Sequence, residues 1–254
     1  MTPDSPAPRF GELEGDLIFT FPPGETLETL TGAPRGEAIP LAAACLLAPV
    51  NPSKIVCVGR NYREHAAELG NKMPAEPLLF LKAPSAILGP GEAIEVPVES
   101  QQVEHEGELA VVVGRRVRHL QNDEDPLNYV LGYTCLNDVT ARDLQRKDIQ
   151  FTRAKSFDTF CPVGPFIVTG LDPLDLELTT RVNKETKQKG RTSDMAFSVA
   201  FLIRYIAEIM TLYPGDLIAT GTPAGVSRMK HGDVVEVEIE GIGILSNPVV
   251  DRKE

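Results

Sequence analysis

The chain has 254 residues, 42% hydrophobic and 24% charged, enough to bury a core in one large domain or in a main domain with a small appendage. A formal net charge of −11 repels phosphate backbones and argues against nucleic acid as a partner, while a small anionic substrate stays possible where a local cation reverses the field. No apolar run reaches the roughly 20 residues of a bilayer span, and residues 1–6 show no basic stretch leading into an apolar one, so the chain reads as cytoplasmic, with no membrane partner.

Residues 1–50 are rich in Pro and Gly and carry two short apolar pieces, 16–21 and 41–47. They read as a small N-terminal β subdomain of short strands, closing at the turn Pro49-Val-Asn-Pro52. Residues 51–254 then form the main domain. Its first strand spans 54–58 and breaks at Gly59, one or two helical turns follow over 62–69, and Gly70-Asn71 stops them. Further strands are expected at 78–81, 108–113, 129–136, 165–168 and 176–182, with a short helix over 140–145 and a hairpin through the polar segment 183–190. One amphipathic helix stands out over 198–212, where Val199, Leu202, Ile203, Ile206 and Met210 recur at three- and four-residue steps behind a possible N-cap, Ser198. Strands over 216–220, 234–239 and 242–245 end the chain. Many short strands with few helices point to a mixed-β, α+β core of sandwich or roll type rather than a doubly wound sheet.

The segment Val103-Glu-His-Glu-Gly-Glu-Leu-Ala-Val-Val-Val carries the most chemistry. On a strand Glu104, Glu106 and Glu108 project to one face and His105 to the other. Carboxylates crowded beside an apolar run repel one another unless a cation lies between them, and a hard divalent ion suits such oxygens. On this pattern alone a solvated acidic edge fits equally well. Asp138 tips the reading, because it stands where the apolar strand 129–136 ends and could complete a three-carboxylate set with open positions. No His–Cys cluster points to zinc. The four cysteines, Cys45, Cys57, Cys135 and Cys161, are scattered among apolar neighbours and read as buried thiols.

His65 and Glu68 lie three apart, on one face of a short helix, so the carboxylate can orient an imidazole that takes protons near neutrality. Such a pair alone is more often structural. Its flanks, Gly59-Arg-Asn-Tyr62 and Gly70-Asn-Lys-Met-Pro, make the piece short and loop-bound, as in a mobile lid.

Taken together, the chain resembles the fumarylacetoacetate hydrolase family in its short bacterial form. The likeness rests on Val58-Gly-Arg-Asn-Tyr with His65 and Glu68, Phe80-Leu-Lys-Ala-Pro, and His105-Glu-Gly-Glu-Leu-Ala-Val-Val. It continues through Asn137-Asp-Val-Thr-Ala-Arg-Asp, Ala154-Lys-Ser-Phe-Asp with Cys161-Pro, and Gly215-Asp-Leu-Ile-Ala-Thr-Gly-Thr-Pro-Ala-Gly-Val. Each block is weak alone; six in order are specific.

The resemblance implies a mixed β-sandwich roll, a homodimer, and one Mg²⁺ or Mn²⁺ (Ca²⁺ as a substitute) held by Glu106, Glu108 and Asp138, with Glu104 a neighbour. It implies a lid dyad at His65 and Glu68, a site lysine at Lys155, and substrate contacts from Arg60, Tyr62, Arg142, Gln145 and Thr222. The implied activity is enolate chemistry on small 2-oxo or 2-hydroxy-enol dicarboxylates in aromatic catabolism, of the 2-hydroxyhepta-2,4-diene-1,7-dioate isomerase or decarboxylase kind. Acylpyruvate hydrolysis, oxaloacetate decarboxylation and, from another class, non-catalytic metal or carboxylate binding are the alternatives. The residues that read the far end of the substrate have no signature in the sequence.

Overall fold

The computed structural model describes residues 7–30 and 32–253, so the expectation about a leader, which rests on residues 1–6, lies outside the described residues. The fold is mostly β, with four α-helices among the described residues: α1 (Arg63–Glu68), α2 (Arg142–Lys147), α3 (Thr152–Lys155) and α4 (Val199–Ile209). None of them is long and apolar enough to cross a membrane.

A seven-stranded mixed sheet forms the centre, in the order Leu78–Lys82, Ile55–Gly59, Leu217–Ala219, Gly107–Val113, Val130–Asn137, Cys161–Val168 and Ile87–Leu88. Its central strands are buried on both faces, which is why they read as unbroken apolar runs rather than alternating ones. Ile55, Cys57, Ala110, Val112 and Leu217 face one core, while Val56, Val58, Leu109, Val111 and Ile218 face the other. The second core is closed by α4, through Leu202, Ile203 and Ile206, and by Val237, Ile239 and Leu245 of a five-stranded sheet. Burying each of those three helix side chains contributes about 1.5–3 kcal/mol. Ser198 caps α4 as its sequence predicts, accepting a hydrogen bond from the Phe201 amide.

The five-stranded sheet runs Glu185–Arg191, Glu177–Val182, Val234–Ile239, Gly243–Asp251 and Ile94–Val96. The expected hairpin is there, turning through Asn183 and Lys184, both at positive φ. Residues 11–40 supply a separate three-stranded antiparallel sheet.

Five expectations need correction. The run 103–113 is not one strand: Val103–Glu104 pairs with Thr140–Ala141 as a small ribbon, the chain breaks at His105 and Glu106, and Gly107–Val113 joins the large sheet. The break lets Glu104 leave the face that Glu106 and Glu108 share. Helix α2 starts only at Arg142, since Thr140 and Ala141 belong to that ribbon. Residues 41–47 form a short 3₁₀ turn, Leu41–Ala43, and then irregular chain. Cys45 lies there and is exposed, unlike the buried Cys57, Cys135 and Cys161. The final strand also runs much further than 245, to Asp251, since it adds to Ile94–Val96.

Candidate active site

Two of the sequence blocks meet at one end of the large sheet. Glu106 precedes the strand Gly107–Val113, Glu108 is its second residue, and Asp138 follows the neighbouring strand, with Gly107 opposite Asn137 in the register. The local geometry is locked from the backbone. The Glu106 amide donates to Asn137 Oδ1 at 2.9 Å, and the Asp138 amide donates to the Glu106 carbonyl at 2.8 Å. Gly107 has to be glycine for packing reasons: a Cβ there would overlap Thr180 Oγ1 of the second sheet. One oxygen from each of Glu106, Glu108 and Asp138 lies within 4.8 Å of the others, and all three residues are buried.

These acids sit at the floor of a cavity of about 280 Å³, also lined by Arg60, His65, Phe80, Arg142, Gln145, Phe151, Lys155 and Thr222. The cations around them are unequally shared. Lys155 Nζ donates to Glu106 Oε2 at 2.7 Å and to Asp138 Oδ2 at 2.6 Å. Arg142 donates to Glu106 Oε1, to Glu104 Oε2 at 2.7 Å and to Gln145 Oε1 at 2.6 Å. Burial pushes the Glu106 carboxyl up, but Lys155, Arg142 and His65 together hold it below the usual carboxylate range. Glu108 has only the Gly221 amide, at 2.7 Å, and no cationic side chain among the described residues donates to it. Burial, then Asp138 and Glu106, raise its carboxyl well above the ordinary value. A third buried carboxylate left without a cation, in an all-oxygen donor set, is what a hard divalent ion would satisfy. The residues present therefore fit Mg²⁺, Mn²⁺ or Ca²⁺, held by Glu106, Glu108 and Asp138.

His65, on α1, is 5% exposed, and its Nδ1 lies 3.4 Å from Glu68 Oε2. Glu68 is itself fixed, since the Gly225 amide donates to both its oxygens at 3.0 and 3.2 Å. Burial lowers the His65 pKa against the opposing pull of Glu106, which favours the neutral ring. Arg60 lines the cavity with a left-handed backbone, φ 58°, uncommon for so large a side chain.

Of the expected substrate contacts, Arg60, Arg142, Gln145 and Thr222 line the cavity and Tyr62 does not. Tyr62 is buried, and its hydroxyl has no hydrogen-bond partner among the described residues. The Thr222 hydroxyl reaches the cavity wall but donates to the Gly107 carbonyl at 2.8 Å and accepts from Gln188 Nε2 at 2.7 Å. In the same loop, the Gly221 amide serves Glu108.

Two further residues take part in the site without a role assigned from the sequence, although Lys82 stands within the block Phe80-Leu-Lys-Ala-Pro. Lys82 is 1% exposed and donates to Asp138 Oδ1 at 2.7 Å and to the Val139 carbonyl at 3.2 Å. A lysine two residues after Phe80 on an apolar strand, on the side that carries Phe80 into the cavity, is the available signal. Gln188, in the polar hairpin, accepts from the Gly107 amide at 3.0 Å and lies 3.1 Å from His105 Nδ1, bridging the two sheets beneath the site. Nothing in its sequence neighbourhood marks it.

Residues 54–250 match the family model for the C-terminal domain of fumarylacetoacetate (FAA) hydrolase. A solved 2-hydroxyhepta-2,4-diene-1,7-dioate isomerase from Mycobacterium marinum superposes with a TM-score of 0.87 at 45% identity, covering 100% of this chain and 97% of that one. A 5-carboxymethyl-2-hydroxymuconate delta-isomerase from Mycobacterium smegmatis gives 0.88 at 43% identity, covering 99% and 97%. In sequence, the mitochondrial oxaloacetate tautomerase fahd2 of Xenopus laevis is 44% identical over 218 residues, 81% of this chain and 68% of that one.

Proposed function

The chain belongs to the fumarylacetoacetate hydrolase family, and from that premise we propose that it is a divalent-metal-dependent isomerase or tautomerase of small 2-oxo or 2-hydroxy-enol dicarboxylates. The observation that carries the reading is one cavity holding three converging buried carboxylates together with a carboxylate-oriented histidine and a lysine. The similar isomerases and the tautomerase have names that describe moving a proton next to a carbonyl, which fits this set of groups.

Glu106, Glu108 and Asp138 would hold a hard cation, which would supply positive charge to offset the negative charge that develops on an enolate. The protein's own groups do the rest. With Nδ1 of His65 turned to Glu68, Nε2 is the basic nitrogen and is free to take a proton from the carbon next to the 2-oxo group. Returning that proton at another carbon completes an isomerisation, and placing a proton on the enolate oxygen instead completes a keto-to-enol conversion. Lys155, Arg60 and Gln145 face the same cavity and suit the carboxylates of a small anion. Phe80 and Phe151, edge to face at 5.5 Å, give it an apolar wall for a carbon chain. That wall supports ranking the longer unsaturated dioates ahead of oxaloacetate in this reading.

The second reading is hydrolysis of acylpyruvates, favoured by the same His65–Glu68 pair, which could activate water instead of abstracting a proton from carbon. The test is a substrate panel with and without Mg²⁺: 2-hydroxyhepta-2,4-diene-1,7-dioate, enol-oxaloacetate and fumarylpyruvate, followed by ultraviolet absorbance and product mass. Isomerised product of unchanged mass is expected, and release of pyruvate would move the assignment to hydrolysis. No metal-dependent turnover of any of them would sink the proposal.

A further inference from the structure

Two lysines divide the oxygens of Asp138 between them, and their surroundings differ. Lys82 holds Oδ1 from behind the site, is anchored a second time on the Val139 carbonyl, and does not line the cavity. Lys155 holds Oδ2 from the cavity side and spans to Glu106 Oε2, so that its ammonium bridges two of the three acids. It is the last residue of α3, a helix of four residues, and its Nζ also lies 5.1 Å from the centre of the Phe80 ring.

We propose that Lys155 is a displaceable counter-cation: its ammonium draws Glu106 and Asp138 together and yields those oxygens when a divalent ion takes them, moving into the cavity. The inference rests on the reading of the three acids as a metal site. Lysine is suited to such a role because its charge is a point on a flexible four-carbon stem, not a planar fork fixed by two bonds. The Phe80 face and the open cavity give the displaced ammonium somewhere to go, and a cation over an aromatic ring keeps part of its stabilisation. Lys82 has no such outlet, so it stays as the fixed partner of Asp138. An ordering follows from this: the lysine becomes free for a substrate carboxylate only once the metal is in place.

The mark of a competing internal cation is that removing it tightens binding of the external one. Mn²⁺ affinity is therefore to be measured by electron paramagnetic resonance of the free ion, for wild type, Lys155→Met and Lys155→Gln. Both variants are expected to bind Mn²⁺ at least tenfold more tightly than wild type while losing turnover. Should either unfold without metal, the Mn²⁺ concentration that raises its melting temperature half-way is read instead, and is expected to fall by the same factor. Affinity equal to or weaker than wild type in the variants would overturn the inference and leave the metal site standing. A wild type that binds no Mn²⁺ would sink the site itself.

Discussion

Charge, more than shape, sets what the individual side chains can do. Glu106 is the most heavily engaged of the three acids, accepting from both Lys155 and Arg142, and it stays ionised because those two outweigh burial. Glu106→Gln keeps the volume and the hydrogen-bonding shape but removes the charge. Losing an outer-shell partner of a metal typically costs about 10–100-fold in affinity, so losing one of the three ligands is expected to cost more. Mn²⁺ titration checks this, and a variant that binds as wild type does would remove Glu106 from the ligand set. His65 carries a pH dependence of known sign. Its folded pKa is lowered from an ordinary 6.5, first by burial, so the folded chain prefers the neutral ring. The unfolded chain then binds the extra proton first, and His65 adds stability above about pH 6.5 that is lost as pH falls through that value toward the folded pKa. For the same reason the acid limb of kcat/KM should lie below the ordinary histidine value and vanish with the activity in His65→Ala. A limb at or above that value would argue against His65 as the base.

At the level of strands and helices, the site depends on two sheets touching at one glycine. Gly107 lies between Glu106 and Glu108, and Thr180 of the second sheet fills the space a side chain would need. Gly107→Ala is expected to cost about 1–3 kcal/mol as overpacking, a fall of roughly 2–4 °C per kcal/mol for a chain of this size, and to weaken Mn²⁺ binding with it. Adding Thr180→Ala removes the offending oxygen and should restore most of both; no recovery would mean that backbone freedom, not the clash, is what glycine supplies. This dependence also marks how far the amino-acid pattern reaches. Alternation along 103–113 places Glu106 and Glu108 together, and the apolar strand ending at Asn137 delivers Asp138, because strand periodicity and a buried strand end are local properties. The break at His105 is not local: it follows from Val103–Glu104 pairing with Thr140–Ala141, a choice made by a partner 36 residues away. Lys82 and Gln188 escape for the same reason, each being defined by what it meets across the fold rather than by its neighbours in the chain.

Seen as one body, the protein brings parts far apart in sequence to a single cavity: the loop before α1, the strand edge at Leu78–Lys82, the acids of the central strands, helices α2 and α3, and the Thr222 loop tied through Gln188 to the second sheet. Several of these are held by charge rather than by apolar packing. Lys82, Lys155, Arg142, Glu104, Glu106, Glu108 and Asp138 are all buried, and Glu108 alone among the acids lacks a cationic partner among the described residues. A divalent ion satisfying that acid should stabilise every element that contributes to the cavity, not the loops alone. Magnesium is therefore expected to raise the melting temperature in a single cooperative step, by an amount that grows with concentration as mass action requires, about 2.7 kcal/mol at a hundred times Kd. Oxalate, which resembles a pyruvate enolate, is expected to add a further rise only when Mg²⁺ is present, because without the ion Lys155 and Arg142 stay engaged with Glu106 and Asp138. Calorimetry of wild type and Glu106→Gln, each with EDTA, Mg²⁺, oxalate, and both together, separates the contributions. Stabilisation by oxalate in EDTA would mean that Lys155, Arg60 and Arg142 bind the anion unaided, and the three acids would then be a charge-balanced structural network rather than a place for a metal.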